Sequence, residues 1–106
     1  PDRLAMSSRN RRLDPAQRAA AVCVPRSLDA VCTAYAAGER DAATLTASGR
    51  TVVESEPLAR LEHLQLVDEA TLAEVDTADE HTVAVTAVWF GDVLLIDNVR
   101  LHDDLV

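Results

Sequence analysis

The chain has 106 residues, of which 48% are hydrophobic, and it carries a net charge of −8. This length allows one domain with a modest core, and the acidic balance excludes nucleic acid as a partner, because binding a phosphate backbone needs a basic surface. No apolar stretch is long enough to span a membrane and nothing resembles a signal peptide, so we expect no membrane partner and a cytoplasmic location.

The positive charge is concentrated at the amino terminus. Residues 1–18 contain five arginines and two aspartates, a local charge of +3 in an otherwise acidic chain. This balance favours a small anion as the ligand. The chain opens on Pro1 rather than on methionine, so we expect it to be a fragment of a longer protein.

Residues 1–13 are predicted to form an extended polar loop that contains the run Met6-Ser7-Ser8-Arg9-Asn10. Hydroxyls, backbone N–H groups and a guanidinium are the donors that phosphate oxygens need. Serine and asparagine before a helix more commonly cap it or form a turn, and on the residues alone both interpretations stay open.

The first helix is predicted over residues 15–37. Asp14 is a suitable N-cap, and Gln17 three residues later completes a capping-box pattern. Because proline interrupts a helix, Pro25 predicts a kink or break around residues 21–24.

The rest of the chain is predicted to add one more helix and a small sheet. The elements are a helix over 41–55, strands over 61–67, 82–90 and 93–101, and an acidic connection over 69–81 with one helical turn at 70–72. Gly91-Asp92 separates the last two strands and is typical of a two-residue hairpin turn. This order predicts an α+β fold with two helices packed on one face of a three-stranded, mainly antiparallel sheet.

Several other residues are given structural interpretations. Cys23 and Cys32, nine residues apart on one helix, would lie roughly 13 Å apart on opposite faces, beyond disulfide reach. They lack the spacing of a metal site. We expect Asp97-Asn98 to end a strand and Glu62 to be solvated, and we expect Trp89 and Phe90 either to pack on the sheet or to contact another domain.

The loop and the helix start resemble one family closely. Leu4 to Asn10 reads LAMSSRN and Asp14 to Ala20 reads DPAQRAA, both similar to pantothenate synthetases, the pantoate–β-alanine ligases. The similarity continues at residues 64–72 and 91–98. It implies that residues 1–13 are a phosphate-contacting junction loop and residues 14–106 a carboxyl-terminal lid domain, with a Rossmann-type catalytic domain outside this chain.

The resemblance also implies a chemistry. Met6, Ser7, Ser8 and Arg9 would contact the phosphates of ATP, with Ser7, Ser8 and Arg9 acting in catalysis and Arg9 neutralising charge in the transition state. The partners would be ATP, accompanied by Mg²⁺ for which this chain offers no ligand, together with pantoate and β-alanine bound by the other domain. The full-length enzyme would be a homodimer, and the fragment alone would be inactive.

The chain departs from the family pattern at four positions, which bear on lid geometry more than on phosphate contact. Arg3 replaces a usual glycine, Arg12 an aromatic residue and Leu94 a common arginine, while Pro25 interrupts a usually continuous helix. The alternative function is a free-standing interaction or small-anion-binding module without catalysis, dimerising through a sheet edge or the hairpin.

Overall fold

A computed structural model describes residues 13–101. Its elements are α1 (Pro15–Ala20), α2 (Cys23–Ala36), α3 (Ala42–Glu54), β1 (Arg60–Asp68), β2 (Thr82–Phe90) and β3 (Val93–Arg100). The strands form one antiparallel sheet in the order β1-β2-β3, so the predicted α+β class is confirmed. Within residues 13–101, no helix has the length and apolar character required to cross a membrane.

The predicted break in the first helix is confirmed and divides it into α1 and α2. Pro25 is the third residue of α2, where a backbone N–H would lack a partner inside the helix, so proline costs little there. The N–H of Val24 donates to the carbonyl of Ala21 across the break, at 3.0 Å. Ala21 is fully buried, which makes the break part of the packed interior.

Helices α2 and α3 lie very close together at one glycine. A Cβ added to Gly49 of α3 would lie 2.9 Å from the Ser27 carbonyl oxygen and 2.9 Å from Val31 Cγ2 in α2, and 2.6 Å from Leu64 Cδ2 in β1. Real Cβ atoms do not come so close to their neighbours, so only glycine lets these elements pack as they do.

One face of the sheet packs against the helices and forms the core. The first core cluster joins α2 and α3 to the sheet through Leu28, Val31, Leu45 and Leu66 among others. A second cluster lies nearer the hairpin and contains, with several neighbours, Ala20, Val24, Val53, Phe90 and Val93. Helix α2 supplies residues to both clusters.

The predicted hairpin is confirmed, with Phe90 paired to Val93 and Gly91 at φ +67° in the turn. The expectation that Asp97-Asn98 ends a strand is wrong, because both residues lie inside β3, paired with Thr86 and Val85. Asp97 does bond locally, since its Oδ1 accepts from the N–H of Asn98 at 2.8 Å. The register of the hairpin continues the backbone pairing of β2 and β3 through these two residues, despite their local preference to end a strand.

Two smaller expectations concern the connection between β1 and β2 and the side chain of Glu62. The single helical turn expected at 70–72 is present as a turn over residues 69–71, closed by a hydrogen bond from the Leu72 N–H to the Asp68 carbonyl. Glu62 is exposed, but it accepts a hydrogen bond from Trp89 Nε1 at 2.9 Å. The Arg60 guanidinium carbon lies 5.5 Å from the centre of the same ring.

Candidate functional site

The candidate site is the segment that precedes α1, which the sequence predicts to be a loop over residues 1–13. The phosphate-contacting residues predicted from the sequence are Met6, Ser7, Ser8 and Arg9, and they lie outside residues 13–101. Their positions therefore stay a prediction. What the structure describes is how the residues immediately following the loop are held.

A reciprocal capping box begins α1. The Gln17 N–H donates to Asp14 Oδ1 at 2.7 Å, and the Asp14 N–H donates to Gln17 Oε1 at 3.1 Å. Asp14 has an extended backbone, with φ −74° and ψ 170°, so the chain changes direction sharply where it enters the helix. The predicted helix start is confirmed, and two otherwise unpaired N–H groups are satisfied.

The helix start is also fixed by tertiary contacts. Leu13 packs against the second core cluster. A Cβ on Gly91 would lie 2.8 Å from Gln17 Nε2, so the hairpin turn approaches the capping box closely. We call Leu13, Asp14, Gln17 and Gly91 the anchor. It gives the loop a fixed attachment to a packed domain.

Sequence reasoning did not find the contact between Gln17 and Gly91. The family resemblance includes both residues 4–20 and residues 91–98, and this is the only signal that could have linked them. The structure shows that parts of these segments meet, so both belong to one end of the domain.

A shallow polar groove runs between α3 and β1, separate from the anchor. It consists of two adjoining hollows of about 370 and 280 Å³ that share Arg50, Leu64 and Glu74. The other charged residues that line it are Glu54, Glu62 and Asp76 along with His63. This acidic balance is unsuited to phosphate binding.

The titratable groups with shifted pKa values lie elsewhere. The backbone N–H groups of Ala70 and Thr71 lower the pKa of Asp68 by donating to its carboxylate. A hydrogen bond with Glu69, at 3.3 Å from Nδ1, raises the pKa of His81. Burial raises the pKa of Asp97. Within residues 13–101, no cluster of three or more His, Cys, Asp or Glu side chains could hold a metal ion.

Both cysteines are buried, and neither forms a disulfide. Burial, with a smaller contribution from Glu56, raises the pKa of Cys23 to about 11. Its thiol therefore stays protonated at neutral pH and is a poor nucleophile. The arrangement gives no evidence for thiol chemistry.

Comparison with known structures first defines the class of domain. The described architecture resembles the pantothenate synthetase from Thermus thermophilus, with a TM-score of 0.87 and 28% sequence identity. The match covers 93% of this chain and 36% of that structure. The domain is therefore of the kind that forms about a third of such an enzyme.

Comparison of sequences then establishes the family. The family model for pantoate–β-alanine ligase matches residues 1–100, so the chain belongs to that family. It is 43% identical over 103 residues to the pantothenate synthetase of Geobacter sp. strain M21 and 45% identical over 102 residues to that of Roseiflexus sp. strain RS-1. The matches cover 97% and 96% of this chain, but it spans only 37% of the length of either relative.

Proposed function

We propose that this chain is the carboxyl-terminal lid domain of an ATP-dependent ligase that joins pantoate to β-alanine. Residues 1–13 are its junction loop and residues 14–106 the lid. The observation that carries the proposal is the family match over residues 1–100, which includes the whole phosphate motif and the anchor behind it. The short span relative to the relatives agrees with a second, larger domain.

The reaction proceeds in two steps. The pantoate carboxylate attacks the α-phosphorus of ATP, forming pantoyl adenylate and releasing pyrophosphate. The amine of β-alanine then attacks the acyl carbon, forms the amide bond of pantothenate and releases AMP. A carboxylate resists attack by an amine, and adenylation provides it with a good leaving group.

The junction loop acts in the first step. Negative charge grows on the α-phosphate and the departing pyrophosphate, and Arg9 neutralises it. Ser7 and Ser8 donate hydrogen bonds to oxygens of the β- or γ-phosphate, while Met6 packs beside the nucleotide or supplies a backbone group. ATP arrives with Mg²⁺ as its counter-ion, so the metal enters as part of the substrate.

The anchor supports this role physically. A catalytic donor is effective only when it is already oriented, because reorganising it during the reaction costs free energy. Leu13 and the capping box of Asp14 and Gln17 fix the chain four residues after Arg9. The proposed phosphate-contacting segment is therefore attached to a packed body close to Arg9 in the sequence.

The remaining partners belong to the other domain. Pantoate, β-alanine and the adenine base bind there, and the full-length enzyme dimerises mainly through it. The isolated chain binds ATP weakly or not at all, because a few phosphate contacts in an open loop do not offset the entropy lost on association.

The direct test is pantothenate formation by the full-length gene product, followed as AMP release with ATP, pantoate and β-alanine present. We expect AMP release that needs all three substrates, and none from the isolated 106-residue chain. AMP release that is independent of pantoate, or a full-length product without ligase activity, would contradict the proposal and favour the free-standing module.

A further inference from the structure

The free edge of β1 is only partly covered by the rest of the described chain. Strand β1 is the first in the order β1-β2-β3, so the sheet pairs with only one of its two edges. The connection between β1 and β2 covers one end of the other edge. There the Val75 N–H donates to the Leu66 carbonyl at 3.0 Å, and the Asp68 N–H donates to the Ala73 carbonyl at 2.9 Å. The chain therefore already adds a short antiparallel segment to this edge.

The added segment leaves the edge before the rest of β1 is covered. The Asp76 carbonyl accepts from the Ala42 N–H at the start of α3, at 3.0 Å, so the chain turns away from β1. Backbone groups alternate between the two edges of a strand, so the N–H and C=O of Leu64 face the same edge as the C=O of Leu66. Among the described residues, no segment pairs on this side with β1 at residues 61–65.

The shallow polar groove between α3 and β1 lies along this open edge. Its larger hollow, of about 370 Å³, is lined by residues 61–65 of β1, by Arg50 and Glu54 of α3, and by Glu74 of the connection. One wall of the groove is therefore the edge of a strand and the other is the surface of a helix. An extended segment of a few residues can lie there and continue the antiparallel pairing that the connection begins.

The charges along the groove indicate what kind of segment fits. Arg50 is accompanied by four exposed acidic side chains, which are Glu54, Glu62, Glu74 and Asp76. A second copy of β1 would bring further acidic side chains into the groove, in a chain whose net charge is already −8. Like charges that face each other across neighbouring strands are destabilising. A segment with Lys or Arg side chains is complementary instead.

We propose that the open edge of β1 binds an extended, basic segment of another protein as an added β-strand. Backbone hydrogen bonds to Leu64 hold the segment, and its cationic side chains pair with the acids of the groove. The register shift between Leu61 and His63 bends β1 at the far end of the open stretch, so the site accepts a short segment rather than a long flat strand. This binding requires neither ATP nor residues 1–12, so it is independent of the proposed function.

NMR of the isotope-labelled full-length protein, titrated with a synthetic peptide, tests the binding. The probe is acetyl-KTKTKTK-amide, in which threonine favours the extended conformation and lysine supplies the charge. The same peptide with glutamate in place of lysine is the control for charge. The lysine peptide methylated at its backbone nitrogens is the control for main-chain bonding, because methylation keeps the charge and removes the N–H donors.

We expect the lysine peptide at saturation to slow hydrogen exchange of the Leu64 amide by roughly tenfold and to leave exchange in β3 unchanged. Replacing both acids in the variant Glu54→Gln with Glu74→Gln should weaken binding by roughly fivefold to tenfold. The matched control is Glu80→Gln, at an exposed acid outside the groove, which should bind the peptide like the wild type.

Absence of binding would overturn the proposal. Equally tight binding of the methylated peptide would also overturn it, because the contact would then depend on charge alone, and so would equally tight binding of the glutamate peptide. A Leu64 amide that is protected without any peptide contradicts it as well: protection that falls on dilution identifies a second copy, and protection independent of concentration identifies another part of the same polypeptide. Pantothenate formation is measured on the same sample, and its absence would overturn the proposed function instead.

Discussion

Replacing Gly49 with alanine tests the close packing of α2, α3 and β1. The added Cβ would lie 2.6 Å from Leu64 Cδ2 and 2.9 Å from a backbone oxygen of Ser27, which cannot move without moving α2. Overpacking of this kind costs roughly 1–3 kcal/mol, and the contact with backbone places Gly49→Ala near the upper end. The better helix propensity of alanine offsets about 1 kcal/mol of this overpacking cost.

The net loss is therefore about 2 kcal/mol of unfolding free energy, or roughly 10 °C in Tm for a domain of this size. Thermal unfolding followed by circular dichroism measures it. The control is Ala47→Gly, at an exposed position of the same helix, which should cost about 1 kcal/mol from propensity alone. A Gly49→Ala variant as stable as the wild type would refute the packing argument, because elsewhere in a helix this substitution is stabilising.

Three further predictions concern single side chains. Asp14→Ala removes the cap of α1 and should lower the unfolding free energy by about 1 kcal/mol, measured by urea denaturation, whereas Asp14→Asn should retain most of it. The pKa of His81 is raised, so its bond to Glu69 stabilises the fold fully at pH values below the ordinary pKa of 6.5. This stabilisation is lost as the pH rises through the pKa of His81 in the folded protein. An NMR titration that shows an unshifted or lowered pKa for His81 would contradict this. The pKa of Asp97 is also raised, and for a carboxyl group this means that ionisation destabilises the fold. Asp97→Asn should therefore raise Tm at neutral pH and leave Tm unchanged in acid.

The elements of the fold could be predicted because local chemistry determines their ends. Asp14 and Gln17 mark the start of α1, Pro25 divides the helix, and Gly91 begins a two-residue turn, as the structure confirms. Each of these signals acts within a few residues of the chain. The periodicity of apolar residues then predicts which face of each element is buried.

Contacts between distant residues could not be predicted in the same way. The approach of Gly91 to Gln17 joins positions far apart in the sequence, and no local pattern encodes it. The expectation that Asp97 ends a strand was wrong because the hydrogen bonds of the hairpin stabilise the strand more than the local preference of Asp97 disfavours it. The bond between Trp89 and Glu62 depends on the register of β1 against β2, which is likewise a tertiary property.

The phosphate site is predicted from a sequence motif and a family resemblance, not from the geometry of the described residues. Ser7, Ser8 and Arg9 lie outside the described residues, so their roles stay predictions. The structure describes the anchor that follows these residues in the chain. The role of Arg9 can therefore be tested by itself, because Arg9 can be changed without replacing Leu13 or the residues of the capping box.

The most direct test of the account is pantoate-dependent exchange of pyrophosphate into ATP by the full-length protein without β-alanine, which isolates the first step. We expect Arg9→Ala to slow this exchange by about 10²–10³. The control Arg26→Ala, which removes an equal charge from an exposed position on α2, should remain near the wild-type rate. Exchange by Arg9→Ala equal to that of Arg26→Ala would contradict the assignment of the loop to the phosphates of ATP.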